Sequence, residues 1–366
     1  MGKIIRDDAG ALRAQARRLA GDYGKFYTPE CLAKLLVRLG GKKGEVLDPA
    51  CGAGSLLVYA HEILGDDSYY YGQEISGESC ALARKNLEAN GVSKFWIEWC
   101  NTLEDDVDLD EGFDCVLANP PFSTKWNPAA VPDDERFSGG YAPKSKADLA
   151  FVQHGLYWLK NGGTAAYILF PGALYRSGAE AKIRESFLKY VRAVIALPAK
   201  LFEETAIATA LVVFEKVASS DPIYFYDASE MFVEKGKKQN VITDDQIEDI
   251  VSAVKNREMI EGKDAEVEQK EIRDNGCNLS PNAYIEKKVE SANPYDGRSI
   301  LEVIEDGEAW AEYSYRSSRQ AYAQIRKSLG YEYNEEDVEF DVESIKPSTH
   351  DTFLQRKSPT TRLLGE

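Results

Sequence analysis

The chain has 366 residues, 43% of them hydrophobic, enough to pack a large core, and its formal net charge is −17. That balance excludes a protein whose whole surface grips nucleic acid, because phosphate contacts need clustered Lys and Arg; a local basic patch or a basic partner stays compatible with it. The longest apolar runs (164–170 and 206–214) are far too short to span a membrane, and the N-terminus carries no secretory pattern.

Residues 5–20 have the pattern of a short helix bearing Arg6, Arg13, Arg17 and Arg18. In "YGKFYTPE", Gly24 and Pro29 bracket a turn, and Thr28 is placed to cap a helix over 29–39. Strands and helices then alternate. "GEVLDPA" reads as a strand, 54–64 as a helix, "SYYYGQEI" as a strand and 77–90 as a helix, followed by the strands "KFWIEWC" and "FDCVLANP". A polar loop leads to a helix over 146–159, the strand "GTAAYILFP", a helix over 178–190, and the strands "VRAVIALP" and "TALVVFEK". Such alternation predicts an α/β fold with a mainly parallel sheet covered on both faces. No convincing helix separates the sixth and seventh strands, so the seventh is expected to run antiparallel.

Beyond Lys216 the pattern changes. "PIYFYDAS" is another strand, and 243–256 is a helix with Thr243 and Gln246 as a capping box. From residue 291 the composition turns polar and aromatic, with a helix expected over 310–328 and a poorly ordered tail from 346. The six cysteines include no C-x-x-C pair and only three histidines accompany them, which argues against a zinc site. A cytoplasmic protein with reduced thiols is the expectation.

Two stretches carry chemistry. In "VLDPACGAGSLL" a strand, a tight turn and a helix start follow one another, and Gly52 and Gly54 let the backbone approach a ligand at the helix N-terminus. Leu57 stands where a dinucleotide fingerprint wants its third glycine, so this is not a pyrophosphate site. Glu74 closes the second strand about 20 residues later, where a carboxylate takes ribose hydroxyls. Together these fit S-adenosyl-L-methionine, with Asp48 facing its charged amino-acid part.

The second stretch is "DCVLANPPFSTKW", a strand that ends in Asn119, Pro120, Pro121 and Phe122. An amine conjugated to a ring, such as adenine N6, is a poor nucleophile because its lone pair is delocalised. The Asn119 side-chain carbonyl and the Pro120 backbone carbonyl would accept both of its hydrogens and draw the nitrogen toward tetrahedral geometry. The prolines lock the turn, and Phe122 stacks on the base.

The blocks "YGKFYTPE", "DPACGAGSLL", "GQEI…LARKNLEANG", "NPPF", "KADLAFVQHGLYWLKNGGTAAYILFPGALYRSGAEAKIRESFL" and "VIALPAKLFEETAIATALVVFEK" run in order. With them the chain resembles the modification (methyltransferase) subunit of type I restriction–modification systems, within the N6-adenine DNA methyltransferase superfamily. The similarity covers residues 20–285. It implies a Rossmann-like class I methyltransferase fold: a mainly parallel seven-stranded sheet with one antiparallel strand, plus a smaller C-terminal extension. Its domains would be a catalytic domain over 1–220, a family-specific α/β extension over 221–290 and a C-terminal region of unknown role over 291–366.

By the same resemblance, Phe26, Tyr27, Thr28 and Pro29 line the methionine end of the cofactor. Asp48, Ala50, Gly52 and Gly54 form the loop, Glu74 binds the ribose, and Asn101 contacts the adenine. Asn119, Pro120 and Phe122 hold the target base, and Asp148 and Phe151 belong to the block after the substrate loop. The family's chains usually carry a long helical domain ahead of the first motif, which here arrives at Gly24. The resemblance therefore implies a relative lacking that domain, with DNA, a sequence-specificity subunit and a restriction subunit as partners. In the long loop over 123–146, Lys125, Trp126, Lys144 and Lys146 are placed to contact flipped DNA. Two other readings stay open: methyl transfer to RNA or to a protein glutamine amide, which uses the same acceptor geometry, and a non-catalytic cofactor-binding module.

Overall fold

The computed structural model describes residues 28–106, 109, 112–202, 206–236 and 239–286. Its elements in chain order are α1 (Glu30–Gly40), β1 (Glu45–Asp48), α2 (Ser55–Leu64), β2 (Tyr69–Glu74), α3 (Gly77–Ala89), β3 (Phe95–Trp99) and β4 (Phe113–Ala118). There follow α4 (Asp148–Trp158), β5 (Leu159–Leu169), α5 (Pro171–Tyr175), α6 (Ala179–Phe187), β6 (Val191–Ala196) and β7 (Ala210–Glu215). The last described elements are β8 (Ile223–Asp227), β9 (Val233–Lys235), β10 (Gln239–Val241), α7 (Asp244–Asn256), β11 (Asp264–Val267) and α8 (Gln269–Asp274). The helices expected over 5–20 and 310–328, the tail from 346, and Phe26 and Tyr27 lie outside the described residues.

Strand alternation decides the layering, because successive residues face opposite sides of a sheet. Val46, Cys115, Leu117, Ala166 and Ile168 pack on one face with α1, α2, α3 and α7. Leu47, Val116, Ala118, Ala165 and Tyr167 pack on the other with α4 and α6. Strands buried on both faces therefore read as continuous apolar runs, which is how they appear in the sequence.

The strand order is β11-β8-β6-β7-β5-β4-β1-β2-β3. From β3 to β5 all pairings are parallel, and β7 lies antiparallel between β5 and β6. These are the seven strands expected, with the seventh reversed. The sheet is nine-stranded because β8 pairs parallel with β6 and β11 antiparallel with β8. Within 221–290, β8 and β11 thus add to the main sheet, while β9 and β10 pair as a separate hairpin. The capping box of α7 is present as read, Thr243 accepting from the Gln246 N–H and Gln246 from the Thr243 N–H. Among the described residues no helix is long and apolar enough to cross a membrane, and no cluster of metal-ligating side chains occurs. The consequence for function is positional: β1, β2 and β4 end side by side at Asp48, Glu74 and Ala118, the edge at which open parallel sheets bind ligands.

Candidate active site

Leaving β1, the chain must double back into α2, and it does so through left-handed residues. Gly52 has φ 53° and Gly54 φ 77°, a region in which a side chain costs about 1–2 kcal/mol. At Gly54 an added Cβ would also stand 3.2 Å from the Ala83 Cβ of α3. Asp48 shapes the turn from below, its Oδ1 accepting from the Ala50 N–H at 3.1 Å. Glu74 holds it from the side: Oε2 accepts from the Gly52 N–H at 3.2 Å and Oε1 from the Ser76 N–H at 2.8 Å. The loop and the acid form one unit, although 22 residues separate Gly52 from Glu74.

Asp48 is 2% exposed. Burial pushes its carboxyl up to about 7; the Ala50 N–H opposes this and the nearby Glu74 adds to it. A cationic ligand group would relieve that cost, since an opposite charge favours the ionised form.

At the end of β4, Asn119 is 7% exposed, and its Nδ2 donates to Thr28 Oγ1 at 3.1 Å. This corrects the expected role of Thr28 as a helix cap: Pro29 occupies the N-cap position of α1, with no side-chain cap, and the Thr28 hydroxyl accepts from Asn119 instead. The amide is thereby oriented, and its buried Oδ1 has no hydrogen-bond partner among the described residues. Such an acceptor costs about 1–3 kcal/mol, so its presence calls for a functional explanation.

Phe122 is half-buried and meets Phe202 edge-on, ring centroids 5.6 Å apart. The next residue, Ser123, sits at φ 48°, and its N–H donates to Asp148 Oδ1 at 3.1 Å. Asp148 is the first residue of α4 and 1% exposed. It holds the turn that follows Phe122.

A cleft opens over these turns. Its lining includes Ala50, Gly52, Glu74, Asn101, Asn119 and Pro121, together with Lys125, Trp126 and Phe151. Thr28, Pro29, Asp48, Gly54, Pro120, Phe122 and Asp148 are not wall residues; Asp48, Gly54 and Asp148 shape the turns that are. Asn101 is fixed by its own loop, its N–H donating to Asp105 Oδ2 at 2.7 Å and its Oδ1 accepting from the Leu103 N–H at 3.3 Å. Lys125 is exposed, whereas Trp126 is 6% exposed, its ring packed on Phe137 and Tyr141 at 5.0 and 6.2 Å.

Several residues of the site escaped the sequence reading. Arg136, in the charged run "DDERF" of the long loop, is 8% exposed. Its guanidinium bonds Asp134 at 2.6 Å and the Thr102 and Leu103 carbonyls at 2.8 and 3.3 Å. It therefore ties the long loop to the segment carrying Asn101. Gln73 gives no pattern of its own; the nearest signal is its place beside Glu74.

A family model described as N-6 DNA Methylase matches residues 10–293. The chain is 38% identical over 293 residues to the type I restriction enzyme MpnII methylase subunit of Mycoplasma pneumoniae, covering 73% of this chain and 54% of that one. It is 33% identical over 307 residues to the MjaVII methylase subunit of Methanocaldococcus jannaschii, covering 77% and 53%. Among solved structures it is similar to the type I restriction-modification system methyltransferase subunit from Streptococcus thermophilus. That match has a TM-score of 0.67 and 38% identity over 71% of this chain and 59% of the other. The chain spans about half the length of the curated relatives it matches.

Proposed function

The chain belongs to the N-6 DNA methylase family, and we propose that it methylates the N6 amine of a flipped-out DNA adenine as the modification subunit of a type I restriction–modification system. Its fold is that of the class I methyltransferases, whose cofactor is S-adenosyl-L-methionine. The residues present fit that cofactor. The Glu74 carboxyl is oriented by two backbone N–H donors and lines the cleft, where its oxygens can accept from ribose hydroxyls. Asp48 answers a cationic group, and Asn101 stands past β3 for the adenine. Thr28 and Pro29, with Phe26 and Tyr27 before them, belong at the methionine end. When bound, the cofactor supplies an electrophilic methyl on a sulfonium.

The single observation that carries the reading is the buried Asn119 Oδ1, without a partner among the described residues and held in place by Thr28. An exocyclic amine is the donor it lacks. Asn119 and the Pro120 carbonyl each take one N6 hydrogen, and Phe122 stacks on the ring. The nitrogen lone pair is thereby freed toward the methyl, with positioning and electrostatics carrying the catalysis. The adenine must leave the duplex, because its amine is inaccessible in the stack. The exposed Lys125 is set to meet a phosphate; Trp126 and Phe151 act as wall, and Asp148 acts through Ser123. A net charge of −17 favours a separate specificity subunit that reads the sequence and brings basic surface, with a restriction subunit completing the assembly in the cytoplasm.

The test is transfer of labelled methyl from S-adenosyl-L-methionine to unmethylated duplex DNA, by the chain alone and with a candidate specificity subunit. Label on adenine N6 supports the reading. Label confined to RNA or to a protein glutamine overturns the substrate, and no transfer despite cofactor binding overturns the activity.

A further inference from the structure

Beyond tying the long loop down, Arg136 begins a hydrogen-bonded chain that runs beneath the cleft to β2. It joins Asp134, Arg136, His154 and Gln73, and both His154 and Gln73 are fully buried. A guanidinium can only donate. His154 Nδ1, 3.0 Å from Arg136 Nη1, must therefore be the bare, accepting nitrogen of the ring. The ring hydrogen is then on Nε2, which donates to Gln73 Oε1 at 2.9 Å. Burial, with the Arg136 charge adding, pushes His154 down to about 3, so the ring stays neutral and the polarity of the chain does not change near neutral pH.

With Oε1 engaged, the NH2 group is what Gln73 has left to offer the cleft it lines. Its buried Nε2 has no partner among the described residues. Trp126 lines the same cleft, and its indole N–H is likewise buried and without a partner among them. Neither group can accept in this arrangement, so the part of the cleft they line asks for acceptors. Its other lining includes Leu103 and Phe151, apolar walls suited to a flat ring. Gln73 directly precedes Glu74 in β2, and both line this cleft.

We infer that Gln73 and Trp126 read lone-pair nitrogens of the cofactor's adenine ring, and that Arg136 and His154 are positioning residues that set the polarity of that reading. The inference rests on S-adenosyl-L-methionine occupying the cleft. It concerns discrimination among bases, to which a purely structural network would be indifferent.

The experiment is calorimetric binding of S-adenosylhomocysteine and its 1-deaza, 3-deaza and 7-deaza analogues to the full chain, in which one ring acceptor at a time is replaced by C–H. For the unaltered chain, at least one analogue is expected to bind about three- to tenfold more weakly than the parent. Gln73→Met or Trp126→Phe should erase that difference. His154→Gln keeps an acceptor for Arg136 and a donor for Gln73, and should preserve it; His154→Leu should lose it although Gln73 is intact. If all three analogues bind the unaltered chain as the parent does, the donors do not meet the base and the inference is overturned; this arm needs no variant. Discrimination that survives in both Gln73→Met and Trp126→Phe overturns it as well. Failure of the parent compound to bind the folded chain overturns the cofactor reading itself, and this inference with it.

Discussion

Asp148→Ala removes the acceptor that keeps the turn after Phe122 in shape. Ser123 at φ 48° occupies a backbone region that costs a residue with a side chain about 1–2 kcal/mol. Its N–H donates to an Asp148 carboxyl oxygen at 3.1 Å, a bond that offsets a strain of that size. Without it the strain decides. The turn should then be populated about a tenth of the time, since 1.4 kcal/mol is a factor of ten. We expect kcat for methyl transfer to fall about tenfold, with cofactor affinity within about twofold, because Glu74 and the glycine turn are held independently. Adding Ser123→Gly removes the strain and should restore most of kcat. Asp148→Asn keeps an oxygen for the Ser123 N–H and should lose little. The assays are steady-state methyl transfer by the assembled complex and calorimetry for the cofactor, with amide exchange at Ser123 reporting the turn directly. Full kcat in Asp148→Ala, or no rescue by Ser123→Gly, would refute the reasoning. An Asp148→Asn variant as impaired as Asp148→Ala would instead place the carboxylate against the substrate.

Asn119→Ala should abolish methyl transfer while leaving cofactor binding nearly intact, and comparable kcat in that variant would sink the mechanism. Thr28→Val frees the Asn119 amide to rotate and should cost about tenfold in kcat, one hydrogen bond's worth; an equal loss of cofactor affinity would show that Thr28 touches the cofactor. Glu74→Ala leaves the Gly52 and Ser76 N–H groups unpaired and should weaken cofactor binding by at least about tenfold, whereas an unchanged dissociation constant would displace the ribose site. For Asp48 the folded carboxyl sits at about 7 against an ordinary 3.8, so the folded state keeps a proton that the unfolded chain loses. Its contribution, of order 4 kcal/mol, is complete at acid pH and is lost as pH rises from about 4 through 7. Denaturation of the ligand-free chain across that window should show the decline and Asp48→Asn should flatten it; identical slopes would contradict the assignment. Cofactor affinity should move the other way, tightening as Asp48 ionises.

The alternation of strands and helices was open to reading, because a doubly covered sheet needs continuous apolar runs and helices need caps and glycine exits; these are local demands written in local residues. The reversed seventh strand was legible for the same reason, since a connection without a helix leaves only an antiparallel return. So was the tight turn at Gly52 and Gly54, whose residue type answers to positive φ. What only the tertiary structure decided is how distant residues meet. Nothing near Thr28 in the chain announces that its hydroxyl bonds Asn119 across 91 positions rather than capping a helix, nor that β8 and β11 extend the main sheet. Arg136 reads as one charge among several, yet it is buried because Asp134, two carbonyls and His154 together satisfy its donors. A buried polar network has no sequence period. Its members are chosen by where the fold leaves donors and acceptors unpaired, and that is settled only once the chain is packed.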